Sequence, residues 1–111
     1  MISITKDRKV ITLINIFTVS PERQAELVGL LTQATDSAVR HVPGFISASL
    51  HRGLDRTKVV MYAQWRSIED YEAMRKNAAA SPFLQQALAI AAFAPGMYEV
   101  VDTFVAPKQK T

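Results

Sequence analysis

Four segments of the chain have the alternating or densely apolar pattern of β-strands, with many β-branched residues. They span residues 10–19, 45–53, 58–66 and 97–105. The first is apolar on both faces except at Asn15, which predicts a strand that is covered from both sides. Only a short turn-like stretch separates the second segment from the third, so these two are predicted to pair as a hairpin.

Two further segments have the three- and four-residue apolar spacing of helices. The first begins at the Ser-Pro-Glu sequence of residues 20–22, which is typical of a helix start, and is predicted to end at the Pro-Gly pair of residues 43–44. The second begins at Ser67, with acidic residues in its first turn. Residues 77–82 interrupt it, and it is predicted to resume as far as Phe93.

The predicted order is strand, helix, strand, strand, helix, strand. This is the βαββαβ order of a ferredoxin-like α+β fold, with an antiparallel sheet and both helices on one face. A chain of 111 residues is long enough for one such domain. The domain is predicted at residues 10–105, after an N-terminal extension of residues 1–9 and before a C-terminal tail of residues 106–111.

The sheet face that points away from the helices is predicted to be apolar. Two helices cover only one face, and an exposed apolar patch of this size is unusual in a monomer. The pattern therefore predicts a homodimer, or a higher oligomer, that buries this outer face. The side chains assigned to the outer face are Ile46, Leu50, Val60, Tyr62, Tyr98 and Val100.

The basic balance of the chain belongs to its two ends. Of the net charge of +3, residues 1–9 and 108–111 together carry a net charge of +4, which leaves a net charge of −1 for the residues between them. A nucleic-acid-binding protein needs a clustered basic surface on its fold. The charge distribution therefore argues against nucleic acid as a partner.

Composition excludes several other classes. The chain has no cysteine, so it has no disulfide, no thiolate nucleophile and no cysteine-ligated metal. The N-terminus lacks the apolar core of a secretory signal, and no stretch is long and apolar enough to span a bilayer. We therefore expect a cytoplasmic protein that does not associate with membranes.

Histidine chemistry is sparse. His41 lies at a predicted helix end, and His51 lies near a strand end, where it either donates into a pocket or stays at the surface. Two distant histidines without acidic neighbours at ligand spacing predict no metal site. The glycine-rich, zinc-protease and serine-hydrolase motifs are also missing.

The strand after the predicted hairpin turn holds the only tryptophan. Alternation directs Met61 and Trp65 toward the helices. Tyr71 follows Trp65 closely enough to fold over the same face, and Asn15 and Gln85 are polar groups expected to point inward. Apolar walls with a few oriented donors suit a flat aromatic ligand, but an ordinary aromatic core gives the same pattern.

Residues 10–101 resemble the antibiotic biosynthesis monooxygenase domain. The resemblance rests on the Pro-Gly-Phe turn of residues 43–45, the strand VVMYAQW of residues 59–65 and the helix start SIEDY of residues 67–71. Members of this family form dimeric α+β barrels. The resemblance therefore implies the same ferredoxin-like fold and the same homodimer through the outer sheet face.

Family members that oxidise polyketide-derived anthrones need no metal, flavin or nicotinamide, because the deprotonated substrate itself reduces dioxygen. The resemblance implies such a cofactor-independent monooxygenase, with dioxygen and an electron-rich quinol, phenol or anthrone as its small-molecule partners. The residues implicated in the family are an asparagine and a tryptophan on one strand, a tyrosine on the next helix and an arginine further along.

Carried over to this chain, the tryptophan matches Trp65 and the tyrosine matches Tyr71. The asparagine position holds Met61 and the arginine position holds Gln85. Asn15 is a candidate to supply the missing amide from a neighbouring strand. The hypothesis gives catalytic roles to three residues, Trp65, Tyr71 and Asn15, and substrate-binding roles to four, Met61, His51, Gln85 and Met74.

Three alternatives follow from the departures from the family pattern. A related branch degrades haem with a tryptophan and a histidine on the second helix, and this chain has neither there. A non-catalytic dimeric module that binds an aromatic metabolite would use the same residues. A purely structural dimer would have a filled core, with no space beside Trp65.

Overall fold

Five strands and three α-helices form the part of the chain that a computed structural model describes, residues 1–108. All strand pairings are antiparallel, and the predicted α+β fold is confirmed. The elements in chain order are β1 (Ile11–Val19), α1 (Gln24–Ser37), β2 (Phe45–Arg52), β3 (Lys58–Trp65), α2 (Ile68–Arg75), α3 (Ser81–Ile90), β4 (Ala91–Ala94) and β5 (Met97–Tyr98).

The strand β1 lies inside the sheet, whose order is β2-β3-β1-β4. On its other side, β4 pairs with residues 16–19 of β1, and β5 pairs with residues 12–13. The Pro-Gly pair of residues 95–96 separates these two short strands, and the Gly96 carbonyl still accepts a hydrogen bond from Ile14 N at 3.0 Å. Strand β1 therefore has hydrogen-bonded neighbours on both of its edges.

The core lies between the sheet and the helices, on one face of the sheet. Strand residues that point to this side alternate along β1 and β3, and they meet the apolar stripes of α1 and α3. The most deeply buried apolar side chains include Leu13, Leu27, Val59, Trp65 and Ala87.

The buried side chain of Gln24 fixes the start of α1 to the hairpin. Its Nε2 donates to the carbonyl oxygens of Gly53 and Lys58, both at 3.0 Å. These two residues flank the turn between β2 and β3, whose own backbone closes with Gly53 N donating to Lys58 O at 2.8 Å. A buried amide with both donors satisfied is stabilising, whereas an unpaired one is costly.

Two predicted helix ends were placed too late in the chain. The first helix ends at Ser37, and a short 3-10 turn, Val39–His41, leads to the Pro-Gly pair. The last helix ends at Ile90 rather than at Phe93, because residues 91–94 pair with the free edge of β1. In this strand Phe93 stacks on Phe17 with ring centroids 4.8 Å apart, a contact that local helix propensity does not reveal.

The final predicted strand is much shorter than expected. Regular pairing is confined to Met97–Tyr98, and residues 99–108 have no regular secondary structure. An ion pair of 3.4 Å joins Asp102 in this segment to Lys6 in the N-terminal extension. Of the predicted C-terminal tail, residues 109–111 lie outside the described residues.

A β-bulge between Phe45 and Ser47 overturns part of the predicted facing of β2. Simple alternation would place Phe45 and Ser47 on one face, but the bulge separates them: Ser47 pairs with Gln64 on the outer face, while the phenyl ring of Phe45 points toward the helices. It packs edge-on against Trp65, with ring centroids 5.3 Å apart. Leu50, which we assigned to the outer face, pairs with Met61 and packs into the core on the helix side.

The outer face is partly covered by the N-terminal extension. Gln64 is buried there, and its Nε2 donates to the Ser3 carbonyl at 2.7 Å, while Ser47 Oγ donates to its Oε1 at 3.0 Å. The extension is therefore attached to the domain along the end of β3. No helix within residues 1–108 has the length and apolar character needed to cross a membrane.

The Pro-Gly-Phe turn is connected to the start of α2. Gly44 has a φ of +90°, and its carbonyl accepts a hydrogen bond from Arg66 N at 2.8 Å. Ser67 Oγ caps α2 by accepting from Asp70 N at 3.1 Å. Asp70 also accepts two hydrogen bonds from the Arg66 guanidinium, at 2.8 and 3.0 Å.

These contacts affect the ionisation of Asp70. The hydrogen bonds from Arg66, and then from Ser67, hold the pKa of the Asp70 carboxyl below its usual value. A lowered carboxyl pKa stabilises the folded chain at neutral pH, and this contribution is lost as the pH falls through the lowered value.

Replacing Gly44 by alanine tests the connection between the turn and α2. The new Cβ would overlap the Asp70 carboxylate, and the φ of +90° disfavours any L side chain. We expect the free energy of unfolding in urea to fall by roughly 1–3 kcal/mol.

The matched control is Gly29→Ala on α1, where a Cβ would meet nothing within 4 Å. This change should leave stability unchanged or raise it by about 0.5–1 kcal/mol. Equal effects of the two substitutions would contradict the proposed role of Gly44.

Candidate functional site

A cavity of about 230 Å³ lies between the sheet and the helices. Its floor is the helix-facing side of β1, β2 and β3, and its roof comes from α1, α2 and α3. The strand residues in its wall include Leu13, Asn15, Met61, Ala63 and Trp65. The core is thus open beside Trp65, which contradicts the alternative of a structural dimer with a filled core.

Two aromatic side chains form one end of the cavity. Trp65 is 1% exposed and Tyr71 is 3% exposed, and their rings meet at an interplanar angle of 65° with centroids 6.0 Å apart. The two rings come together because β3 ends at Trp65 and the tight Ser67 cap starts α2 immediately afterwards. The predicted proximity of the two rings is confirmed.

The register of the sheet places Asn15 directly opposite Met61. Both side chains line the cavity from neighbouring strands. The Asn15 Oδ1 atom is buried and has no hydrogen-bond partner within residues 1–108. Because rotation about χ2 exchanges the two ends of the amide, Asn15 offers a ligand either an acceptor or a donor.

Met74 and Gln85 complete the predicted set on the helix side. Met74 is nearly buried and packs in the cluster that contains Trp65 and Tyr71. Gln85 is exposed at the cavity edge, where its Nε2 lies 3.4 Å from Ser81 Oγ. Six of the seven predicted residues therefore line one cavity, while their roles stay predictions.

His51 is the predicted residue that lies elsewhere. It pairs with Val60 on the outer face, so its ring points away from the cavity. It is exposed, and its Nε2 lies 2.8 Å from Ser49 Oγ on the same strand. Side chains alternate between the two faces of a strand, and this alternation places His51 on the face opposite the other candidates. The structure therefore does not support His51 as part of this cavity.

Arg75 lines the cavity and was not among the residues that sequence reasoning selected. It follows Tyr71 by four positions on α2, so the two side chains share one helix face. This spacing was visible in the sequence, but arginine at the last turn of a helix is common for a different reason, its interaction with the helix dipole.

A smaller chamber of about 130 Å³ adjoins the cavity between α2 and the turn at residues 95–96. We call it the side chamber. It shares four wall residues with the main cavity and adds the backbone turn that separates β4 from β5. The shared residues are Leu13, Asn15, Tyr71 and Arg75.

The walls of the cavity and of the side chamber carry few charges. Neither the cavity nor the side chamber has an aspartate, glutamate or histidine in its wall, among residues 1–108. In the same range no group of three or more acidic or histidine side chains is placed to hold a metal ion. The lining therefore offers hydrogen bonds, apolar surface and one guanidinium, but no side chain that acts as a carboxylate or imidazole base.

The sequence pattern that carries these residues matches a known family. Residues 10–86 match the description of antibiotic biosynthesis monooxygenases. The chain belongs to this family. The match covers β1, α1, the hairpin, α2 and the first part of α3, and these elements supply nearly all of the cavity wall.

A close relative supports the same assignment. Tetracenomycin-F1 monooxygenase from Streptomyces glaucescens is 39% identical over 104 residues, which cover 94% of this chain and 93% of that protein. The predicted family and its enzyme class, monooxygenase, are therefore confirmed.

Solved structures agree on the fold. SnoaB from Streptomyces nogalater, a cofactor-independent oxygenase, superimposes with a TM-score of 0.74 at 22% identity, over 86% of this chain and 97% of SnoaB. Rv0793 from Mycobacterium tuberculosis gives a TM-score of 0.74 at 19% identity, over 85% and 97% of the two chains.

Proposed function

We propose that this family member is a monooxygenase that oxidises an electron-rich quinol, phenol or anthrone with dioxygen, without a metal or an organic cofactor. The observation that carries the proposal is the Asn15 side chain, which lines an open apolar cavity beside Trp65 and Tyr71 and whose buried Oδ1 has no partner within residues 1–108. The relative at 39% identity is a monooxygenase by name, which supports the same chemistry. The cytoplasmic location expected from the sequence stays a prediction.

The reaction balances with the substrate as the only reductant. An anthrone methylene loses a proton to give an enolate, whose electrons reduce dioxygen as a carbon–oxygen bond forms. The resulting peroxide takes up the proton, and the carbon–hydrogen and oxygen–oxygen bonds break to release water. The sum is R₂CH₂ + O₂ → R₂C=O + H₂O, so one oxygen atom enters the product and the other leaves as water.

Stabilising the substrate anion is the main task of the protein in this proposal. The cavity wall has no basic carboxylate or imidazole, so the site favours ionisation by holding the charged form. The amide of Asn15 and the hydroxyl of Tyr71 are the donors placed to contact an anionic oxygen. In a mostly apolar site such hydrogen bonds are stronger than in water.

Trp65 has a different role in the proposal. Its nearly fully buried indole and the neighbouring Phe45 and Tyr71 rings form a rigid aromatic wall against which a planar ligand packs. Apolar walls also exclude water from the reduced oxygen intermediate, which limits its escape as free peroxide.

The binding module remains the second candidate. The observation that favours it is Gln85, a neutral side chain at the cavity edge, in the position to which the family resemblance assigns an arginine. A glutamine donates hydrogen bonds but supplies no permanent charge. The two candidates differ in one measurable quantity, the consumption of dioxygen.

Dioxygen uptake by metal-free protein with 1,8-dihydroxyanthrone tests the proposal. We expect turnover well above the protein-free rate, and we expect Tyr71→Phe to lower kcat/KM by about ten- to a hundredfold, because one hydrogen bond to a charged oxygen is lost. An oxygen electrode measures both rates.

Tyr62→Phe is the matched control, since it makes the same change on the outer face of β3. Tyr62 OH accepts a hydrogen bond from Gln64 and lines neither the cavity nor the side chamber. Binding of the anthrone, seen as quenching of Trp65 fluorescence, without any uptake above background would favour the binding module instead.

We also propose that the chain forms a homodimer through its outer sheet face. Ile16 on that face is 39% exposed, and three apolar residues of the C-terminal segment, Val101, Phe104 and Val105, are 80–93% exposed. A second copy of the same face would remove these side chains from water, which is favourable in proportion to the apolar area buried.

Sedimentation velocity tests the dimer. The 12.3 kDa chain should sediment as a dimer, and Ile16→Glu should shift it to the monomer because a charge would be buried at the interface. Leu54→Glu is the control, since Leu54 is 99% exposed in the hairpin turn and should leave the dimer unchanged. A wild-type protein that sediments as a monomer would exclude the proposed interface.

A further inference from the structure

We infer that Arg75 binds a carboxylate carried by the aromatic ligand, and that this carboxylate occupies the side chamber. The inference depends on the proposed function in one respect: both place a planar aromatic ring in the same cavity. It assigns a specificity-determining residue that neither the family pattern nor the sequence-based set of candidates contained.

The first support is the charge of the walls. Arg75 is the one charged residue among all those that line the cavity and the side chamber within residues 1–108. A single cation in otherwise neutral walls selects for a ligand with one negative charge, because an uncharged ligand gains nothing from it.

The second support is that Arg75, an exposed residue at the edge of both spaces, is free to bind. Three other arginines have carboxylate partners nearby: Arg23 with Glu26, Arg40 with Asp36 and Arg66 with Asp70. No carboxylate in residues 1–108 lies within 4.0 Å of the Arg75 guanidinium. Its five N–H donors are therefore available to a ligand.

The third support is the shape of the space. The main cavity, at about 230 Å³, is near the lower limit for a small-molecule site, while the side chamber adds about 130 Å³ across a wall shared with Tyr71 and Asn15. A chamber of that size next to a ring site accommodates a ring substituent rather than a second ring system.

The chemistry of the guanidinium identifies the substituent. Its planar fork matches the two oxygens of a carboxylate, and such charge-assisted pairs are shorter and stronger than neutral hydrogen bonds. With the carboxylate at Arg75, the ring extends past Asn15 and Tyr71 toward Trp65. This arrangement brings the oxidisable ring to the donors that stabilise its anion.

If Arg75 acted only on helix stability, its replacement would have the same effect as replacing another cation at the same helix end. As the last residue of α2 it also interacts with the negative end of the helix dipole. Lys76, the next residue, has the same charge at the same helix end but lines neither space. Lys76→Gln is therefore the matched control for Arg75→Gln.

The test compares two oxidised ligands that do not react, anthraquinone-2-carboxylate and the neutral anthraquinone-2-carboxamide. Quenching of the single tryptophan measures the Kd of each. We expect the wild-type protein and Lys76→Gln to prefer the carboxylate by about tenfold or more, as expected for a hydrogen bond to a charged group. We expect Arg75→Gln to lose this preference and Arg75→Lys to keep part of it.

Two results would overturn the inference: equal affinity of the wild-type protein for both ligands, or a carboxylate preference that survives in Arg75→Gln. The assay involves no turnover, so a preference for the carboxylate that depends on Arg75 upholds the inference even if no dioxygen is consumed. Failure of both ligands to bind would exclude the aromatic site itself and so contradict both proposals.

Discussion

The antiparallel pairing of β1 with β3 is the interaction on which the rest of this structure depends. It joins the two most buried strands and fixes which of their side chains face the helices. A shift of one residue would move every cavity-lining side chain of one strand to the outer face. The same register brings Asn15 opposite Met61, so the amide that one strand lacks is present on its neighbour.

The sequence predicted most of the fold because its signals are local. A dense run of apolar and β-branched residues identified β1, alternation identified β3, and Ser67 marked the start of α2. The failures involve contacts that no local pattern encodes. The bulge after Phe45 accompanies the packing of its ring against Trp65, and residues 91–94 form a strand by pairing with the edge of β1.

The residues of the candidate site were likewise predicted where the signals are local and missed where they depend on contacts between elements. Trp65 and Tyr71 could be predicted from alternation and from the family resemblance, since they lie on elements with clear boundaries. The placement of Asn15 beside Met61 required the register between strands. Arg75 was missed because its charge has an ordinary structural explanation at a helix end, and only the cavity geometry gives it a second one.

The central claim is that Asn15 supplies, across the strand pair, the amide that Met61 does not. Exchanging the two residues tests it most directly, with kcat/KM for oxidation of 1,8-dihydroxyanthrone as the measurement. Asn15→Met alone should lower kcat/KM about tenfold or more, and the double variant Asn15→Met with Met61→Asn should recover most of the loss, because the amide returns to the same wall. A single variant as active as the wild type, or a double variant no better than the single one, would contradict the account.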